Sequence, residues 1–188
     1  MNILIDKLPQ SLTVGGEEFE IDADFRSCLT VILAYEDEAL TEQEKAFVLL
    51  SRIFKGDIPK ENIKEALDKA TWFINCGEEP GRGGERLYSF EQDAKYIYSA
   101  ISQSHGIDLQ GVDFLHWWQF CYLFLDLDKD CFFTQLIDLR RRKNERKLTK
   151  EEAEYCSRIS DILELGSAEE ESSAAEFMQI LRKGEPCG

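Results

Sequence analysis

Apolar and polar positions alternate near the start of the chain. Residues 12–21 read LTVGGEEFEI, with apolar side chains at every second position on each side of Gly15-Gly16. This pattern predicts two short antiparallel strands joined by a tight turn, which is a β-hairpin. Because two strands alone are marginally stable in water, we expect one face of the hairpin to lie on the rest of the protein. The residues of that face are Leu12, Val14, Phe19 and Ile21.

Apolar residues recur at helical spacing through most of the remaining chain. Polar residues suited to helix N-termini precede several of these stripes. The predicted N-terminal residues are Asp24, Thr41, Ser89, Asp113 and Thr149. Thr41, Ser89 and Thr149 are each followed three residues later by Glu or Gln, the pattern of a capping box. The sequence therefore predicts a mainly α fold, a multi-helix bundle with a small N-terminal β-hairpin.

The length of 188 residues suits one domain with a short extension. We predict a single helical domain over residues 1–165, in which residues 77–86 (GEEPGRGGER) form a flexible loop. After Leu165 the composition becomes small and acidic. Residues 166–188 are therefore predicted to form an acidic tail, either mobile or docked only in a complex. The one apolar cluster of this tail at helical spacing is Phe177, Ile180 and Leu181.

The charge balance is strongly acidic. The chain carries 37 acidic and 22 basic residues, a formal net charge of −15. Such a surface repels nucleic acid and anionic membranes, so both are disfavoured as partners. No apolar run approaches the ~18 residues of a membrane span, and no signal-peptide pattern is evident. Six cysteines without a C-x-x-C pair favour a reducing cytoplasm.

Metal-binding spacing is incomplete in this chain. Asp126, Asp128 and Asp130 alternate as at the start of a calcium loop, but Cys131 and Ile137 stand where that loop needs Gly and Glu. A turn between two helices, with acidic residues near the helix ends, explains these aspartates better. The two histidines are eleven residues apart, which is not the spacing of two ligands on one helix face. We therefore expect no bound metal and no cofactor.

Catalytic motifs are also missing. The sequence contains neither a G-x-S-x-G elbow nor a phosphate-binding glycine loop. Cys121 lies about one helical turn from His116, so a Cys-His pair stays open, although a buried structural thiol is the better interpretation. We expect a protein without catalytic residues that is not an enzyme.

A basic run interrupts the acidic chain between Arg140 and Lys150 (RRRKNERKLTK). Its seven basic residues against Glu145 give a local charge of +6, leaving −21 on the rest of the chain. Three interpretations are open: a solvated helix end, docking to an acidic protein surface that includes the chain's own tail, or nucleic-acid binding. The residues of this run that are candidates for protein interaction are Arg140, Arg141, Arg142 and Lys143.

The tryptophan pair Trp117-Trp118 lies in an almost wholly apolar segment from Phe114 to Leu127. A helix that is apolar all round is either central to the core or partly covered by a partner. Adjacent helical residues point about 100° apart, so one ring can fill the core while the other faces an interface. Core positions for both rings are favoured, and both residues stay candidates for protein interaction.

Three segments together resemble a family of tail-region proteins from phages of Gram-positive bacteria, known as gene-product-fifteen proteins. They are VGGEEFEIDADFR (14–26), SFEQDAKYIYSAISQSHGIDL (89–109) and LHWWQF (115–120). The resemblance covers most of residues 1–165. It implies a protein similar to tail assembly chaperones, which cover the apolar helices of a tape measure protein and recruit tail-tube protein in the host cytoplasm. Self-association is also compatible with this role.

Two other functions remain as alternatives. One is a structural virion component of the tail, such as a connector or completion protein. The other is a small nucleic-acid-binding or regulatory protein, which only the basic run supports. The resemblance brings no catalytic residue with it.

Overall fold

The computed structural model describes residues 2–78 and 86–166. In this part of the chain two strands are followed by eight α-helices, which confirms the predicted fold class. The elements are β1 (Ser11–Val14), β2 (Glu17–Glu20), α1 (Phe25–Glu36), α2 (Glu42–Ile53), α3 (Ile63–Ile74), α4 (Ala94–His105), α5 (Trp117–Leu125), α6 (Phe132–Asn144), α7 (Lys150–Arg158) and α8 (Ser160–Leu163). The predicted glycine-rich loop and acidic tail lie almost entirely outside the described residues, at 79–85 and 167–188.

The predicted hairpin is present with the predicted inner face. Leu12 pairs with Phe19 in an antiparallel register. Gly15 and Gly16 have φ angles of +60° and +83°, as a type I′ turn requires. The four apolar residues of the inner face are buried or half-buried, and the hairpin packs on α3. A hydrogen bond of 3.0 Å from the backbone N of Gly15 to Glu65 Oε2 fixes the turn against that helix.

Several helix ends are set by neighbouring residues, as predicted. The Asp24 side chain accepts the N–H of Arg26 at the start of α1. Complete capping boxes, pairing Thr41 with Glu44 and Thr149 with Glu152, open α2 and α7. Gly106 ends α4 with a φ of +68°, a left-handed conformation that glycine adopts without strain.

The predicted capping box at Ser89 is only half formed, and the prediction that it opens a helix is wrong. Ser89 Oγ accepts the N–H of Gln92, but the Gln92 side chain accepts the N–H of Gly166 instead of reaching back. The backbone N of Ser89 donates to Asp93. Residues 90–93 therefore form a turn, and α4 begins at Ala94.

The predicted start of α5 at Asp113 is also wrong. Extended backbone near residue 116 forms a short antiparallel bridge with Asp24. The N–H of Phe25 donates to Leu115 O at 2.9 Å, and the N–H of Trp117 donates to Ala23 O at 2.8 Å. These bonds hold the segment extended, so α5 begins only at Trp117.

Buried apolar side chains form one large cluster and one small one. The large cluster contains residues of the hairpin and of α1 to α6, and α5 contributes its two tryptophans and Phe120. The small cluster consists of Leu136, Cys156 and Leu163, contributed by α6, α7 and α8. The half-buried Tyr96 contacts both clusters, so α4 connects the two parts of the core.

A candidate protein-binding groove

The tryptophan pair anchors α5 to the end of α3. Trp117 Nε1 donates to Ile74 O and Trp118 Nε1 donates to Phe73 O, each at 2.8 Å. Carbonyl groups at a helix C-terminus lack partners within the helix. The Trp117 indole satisfies Ile74 O, and the Trp118 indole is a second donor to Phe73 O beside the N–H of Cys76. The rings are only 3% and 1% exposed. The structure thus corrects the interaction role proposed for Trp117 and Trp118: both belong to the core.

His116 forms the N-terminal cap of α5 as a neutral ring. Its Nδ1 accepts the N–H of Trp118 at 3.1 Å, so that nitrogen carries no proton. Its Nε2 therefore carries the proton and donates to Pro9 O at 2.9 Å. Burial lowers the pKa of His116, which favours the same neutral form. With both nitrogens engaged, the ring does not serve as a base for Cys121.

Two thiols near α5, those of Cys28 and Cys121, are held in their protonated form, whereas the hydrogen bond with Cys121 lowers the pKa of the half-buried Cys76. Burial raises the pKa of Cys28. A hydrogen bond with Cys76, together with burial, raises the pKa of Cys121. A thiol is nucleophilic only as a thiolate, so Cys28 and Cys121 act as small apolar residues.

Arg140 is buried, which corrects its assignment as a surface interaction residue. Its guanidinium forms a bidentate pair with the buried Asp93, with N–O distances of 2.6 Å and 3.0 Å. Its other donors reach three backbone carbonyls, those of Leu87, Ile162 and Leu163, at 2.7 to 3.1 Å. A guanidinium offers five donor hydrogens in a planar fork, and this site provides five acceptor contacts.

Half of the other six basic residues of the run form ion pairs within the described chain. Arg142 pairs with Asp138 on α6 and with Glu152 on α7. Lys143 pairs with Glu164 at 2.8 Å. Arg141 is exposed and has no ion pair with a described residue. Of the seven basic residues, Arg141, Arg146 and Lys150 have no ion pair with a described residue, so the run presents less unpaired positive charge than the sequence suggests, which weakens the nucleic-acid interpretation.

An open apolar groove of about 690 Å³ lies between α1, the segment before α4, the end of α5 and α6. Its floor consists of aromatic rings whose neighbouring centroids are 5.2 to 6.3 Å apart, a range typical of favourable aromatic pairs. These rings belong to Tyr88, Phe90, Phe124 and Phe133. Ile32, Leu127 and Ile137 also line the groove, and we call the whole surface the aromatic groove.

The rim of the aromatic groove combines one exposed apolar side chain with charges. Leu125, at the C-terminal end of α5, is 80% exposed. Arg86 pairs with Glu36 at 3.1 Å, and Glu36 also accepts hydrogen bonds from Ser89 Oγ and the N–H of Phe90. Arg141 is a further rim residue. Exposed apolar surface that is bordered by polar groups is typical of protein interaction sites.

Sequence reasoning identified Arg141 but missed the other groove residues. The aromatic floor comes from the segment before α4 and from two helices, and no local pattern shows that these elements meet. One signal was present: the wholly apolar segment that contains α5 indicated a helix either central to the core or partly covered by a partner. The start of α5 is central to the core, because Trp117 and Trp118 are buried there. The end of α5 is the part open to a partner, because Leu125 is exposed.

Residues 2–78 and 86–166 contain neither a metal-binding cluster nor a membrane-spanning helix. This range contains no group of three or more His, Cys, Asp and Glu side chains arranged to hold a metal ion. Each of its helices is too short or too polar to cross a membrane.

Comparison with known proteins identifies the class of protein. The sequence model of the family described as Bacteriophage Gp15 protein matches residues 4–165. The chain belongs to this family, as its sequence motifs indicated. Family membership points to a structural or tail-region protein of a bacteriophage. No match was found among curated proteins or among solved structures.

Proposed function

We propose that the protein is a tail assembly chaperone that binds an apolar helical stripe of the tape measure protein in its aromatic groove. The observation that supports this most directly is the open aromatic floor beside the exposed Leu125. Grooves of this kind accept an amphipathic helix through apolar side chains three and four residues apart. The role requires binding and release in the host cytoplasm and no catalysis.

The charge of the protein suits such a role. A tape measure protein covered by many copies, each with a net charge of −15, would repel other covered rods and stay dispersed. Each groove is small, so each contact is weak, and many contacts along one rod multiply their effect. Weak individual contacts also allow tail-tube protein to displace the chaperone as the tube polymerises.

Co-expression with the tape measure protein tests this proposal. The wild type is expected to increase the soluble fraction of the tape measure protein and to co-purify with it. Leu125→Glu, which places a charge at the groove rim, should remove both effects. Phe47→Glu is the matched control, because Phe47 is also exposed, at 71%, but does not line the groove. Equal behaviour of the two variants, or an insoluble tape measure protein with the wild type, would refute the proposal.

A structural virion component is the second candidate, because family membership supports a structural protein as directly as an assembly factor. Mass spectrometry of purified particles separates the two. A chaperone that leaves during assembly should be nearly absent from virions. A connector or completion protein should be present in fixed copy number.

The nucleic-acid alternative needs a test adapted to the structure. Arg140 is unsuitable for substitution because it is buried. Arg141→Ser with Lys143→Ser changes only exposed residues of the basic run. DNA binding by the wild type at low salt, reduced in this variant and at higher salt, would support a regulator in place of a chaperone.

A further inference from the structure

We propose that the outer edge of β1 binds an extended, acidic segment of another protein as an additional strand. The site lies between β1 and α3 and shares no lining residue with the aromatic groove. It is therefore a second interaction surface, and it does not depend on the proposed function.

The hydrogen-bonding pattern of the hairpin directs backbone groups of β1 outward. Opposite residues of an antiparallel pair alternate between those that exchange hydrogen bonds and those whose N–H and C=O groups point away from the partner strand. The N–H of Ile21 donates to Gln10 O at 3.0 Å, so this pair is bonded. Ser11, one position further, and Thr13, three positions further, therefore direct their backbone groups to the outer edge of β1.

The two outer edges of the hairpin differ in what covers them. Beside β2, the N–H of Lys55 donates to Glu20 O at 3.1 Å, so another segment of the chain already occupies part of that edge. Beside β1, the backbone groups of Ser11 and Thr13 have no hydrogen-bond partner within residues 2–78 and 86–166. A row of such groups is a template on which an extended peptide pairs.

A groove of about 560 Å³ runs along this edge of β1. Residues 11–13 of the strand line it, and α3 contributes Asp68, Lys69 and Trp72. The half-buried Trp72 offers an aromatic ring to the side chains of an added strand, and tryptophan is enriched at binding sites. The groove thus combines main-chain pairing groups with a pocket for side chains, as strand addition requires.

Charge decides which strand fits the groove. Lys7 and Lys69 both line it, and neither forms an ion pair with a described residue. Even with Asp68 the groove carries a net charge of +1, on a chain whose net charge is −15. Carboxylates on an added strand would therefore find complementary charge.

The same lysines disfavour a second copy of the chain as the occupant. Pairing β1 with β1 of another molecule would place Lys7 and Lys69 of both copies along one shared edge. Like charges on neighbouring strands destabilise the pair, and edge lysines are a common device against self-association. The observations therefore favour an acidic strand from a different protein.

NMR titration of the ¹⁵N-labelled full chain with a synthetic peptide tests the proposal. The probe is an acetylated six-residue peptide that alternates valine with glutamate. At saturation it should shift the amide signals of Ser11 and Thr13 and slow their hydrogen exchange about tenfold, the effect of roughly one gained hydrogen bond. A fully N-methylated version of the peptide cannot pair as a strand and should bind at least about tenfold more weakly.

Four outcomes would overturn the proposal. They are no binding at millimolar peptide, shifts confined to the aromatic groove, equal binding of the methylated peptide, and concentration-dependent shifts of Ser11 and Thr13 without peptide. The last outcome would assign the edge to a second copy.

A pair of proline substitutions tests which edge is used. Thr13→Pro removes an outward N–H from β1 and should weaken peptide binding at least about tenfold. Glu18→Pro is the matched control, because Glu18 lies opposite Thr13 and its N–H points to the other edge. The control should change the affinity less than about twofold, and equal losses for the two variants would overturn the assignment to β1.

Charge substitutions test the preference for an acidic strand. Lys69→Glu should weaken binding of the valine–glutamate peptide about fivefold, as expected for loss of a favourable charge contact and gain of a repulsive one. Lys64→Glu, at an exposed position of α3 that does not line the groove, should change it less than about twofold. Equal effects, or equal binding of a valine–lysine peptide, would overturn the preference for acidic segments.

The outcomes also separate this inference from the proposed function. Leu125→Glu, which should lose the tape measure protein, should bind the peptide as the wild type does, because Leu125 does not line the groove beside β1. Loss of peptide binding in this variant would contradict two independent surfaces.

Discussion

Arg140→Ala is expected to be among the most destabilising single substitutions in the described part of the protein. Its guanidinium connects α6 to Asp93 and to the carbonyls of Leu87, Ile162 and Leu163. The side chains of the ion pair are only 4% and 2% exposed. Removing the cation leaves a buried carboxylate and three carbonyl groups without their donor, and water has little access to replace it.

The expected loss can be worked out from these contacts. Removal of one member of a buried ion pair typically costs about 3–5 kcal/mol. We expect the loss of unfolding free energy for Arg140→Ala to lie at the upper end of this range. The three carbonyls also lose a donor, and each buried group without a partner costs about 1 kcal/mol or more. Asp93→Asn should cost less, since the amide oxygen still accepts from the guanidinium. In a double-mutant cycle the two changes should be non-additive by at least about 1 kcal/mol.

Urea unfolding followed by tryptophan fluorescence measures these changes. Arg141→Ala is the matched control: it removes the same charge from the next residue, which is exposed, and should change the free energy of unfolding by less than about 0.5 kcal/mol. A loss for Arg140→Ala within 1 kcal/mol of the control would refute the reasoning, because the buried pair would then contribute no more than surface charge.

Three further substitutions test the support of α5. Gly77→Ala should cost about 1–3 kcal/mol in urea unfolding, because the residue has a φ of +81° and a new Cβ would lie 3.0 Å from the Trp118 ring. Gly106→Ala should destabilise the protein less, because Gly106 also has a positive φ, +68°, but a new Cβ there would meet no neighbouring atom. Equal losses for the two glycine substitutions would exclude a steric contribution from the Trp118 ring. Trp118→Phe should cost about 2–3 kcal/mol, since it removes a donor to Phe73 O and leaves a cavity, and a loss below about 1 kcal/mol would contradict this packing. Burial lowers the pKa of His116 in the folded state. The contribution of the neutral His116 ring to the free energy of unfolding is therefore present above the unfolded-state pKa of about 6.5 and is lost as pH falls through the folded-state pKa. His116→Asn retains a capping side chain that does not titrate, so the slope of unfolding free energy against pH in this window should become smaller; an unchanged slope would assign it to other groups.

Local patterns predicted the parts of the fold that local chemistry decides. The hairpin, the capping boxes at Thr41 and Thr149 and the glycine end of α4 each depend on residues a few positions apart. The two wrong predictions, at Ser89 and Asp113, depend on distant partners. Gln92 bonds to Gly166, and the segment before α5 pairs with residues 23–25.

The candidate site was less predictable for the same reason. A run of four basic residues gives no sign that Arg140 has a buried acidic partner 47 positions earlier. The aromatic groove depends on side chains from segments that meet only after the chain has folded. The apolar length of α5 indicated a covered surface, but only the structure shows that the surface lies at the end of the helix that bears Leu125.

The bridge between residues 23–25 and 115–117 has a consequence during synthesis of the protein. The Asp24 side chain accepts the N–H of Leu115 across 91 positions of sequence, so this contact closes a long loop and should form late in folding. The end of α5 and α6 reach their positions only after that closure. A ribosome-bound chain that has not yet exposed residue 141 therefore has no complete groove and cannot bind a partner there.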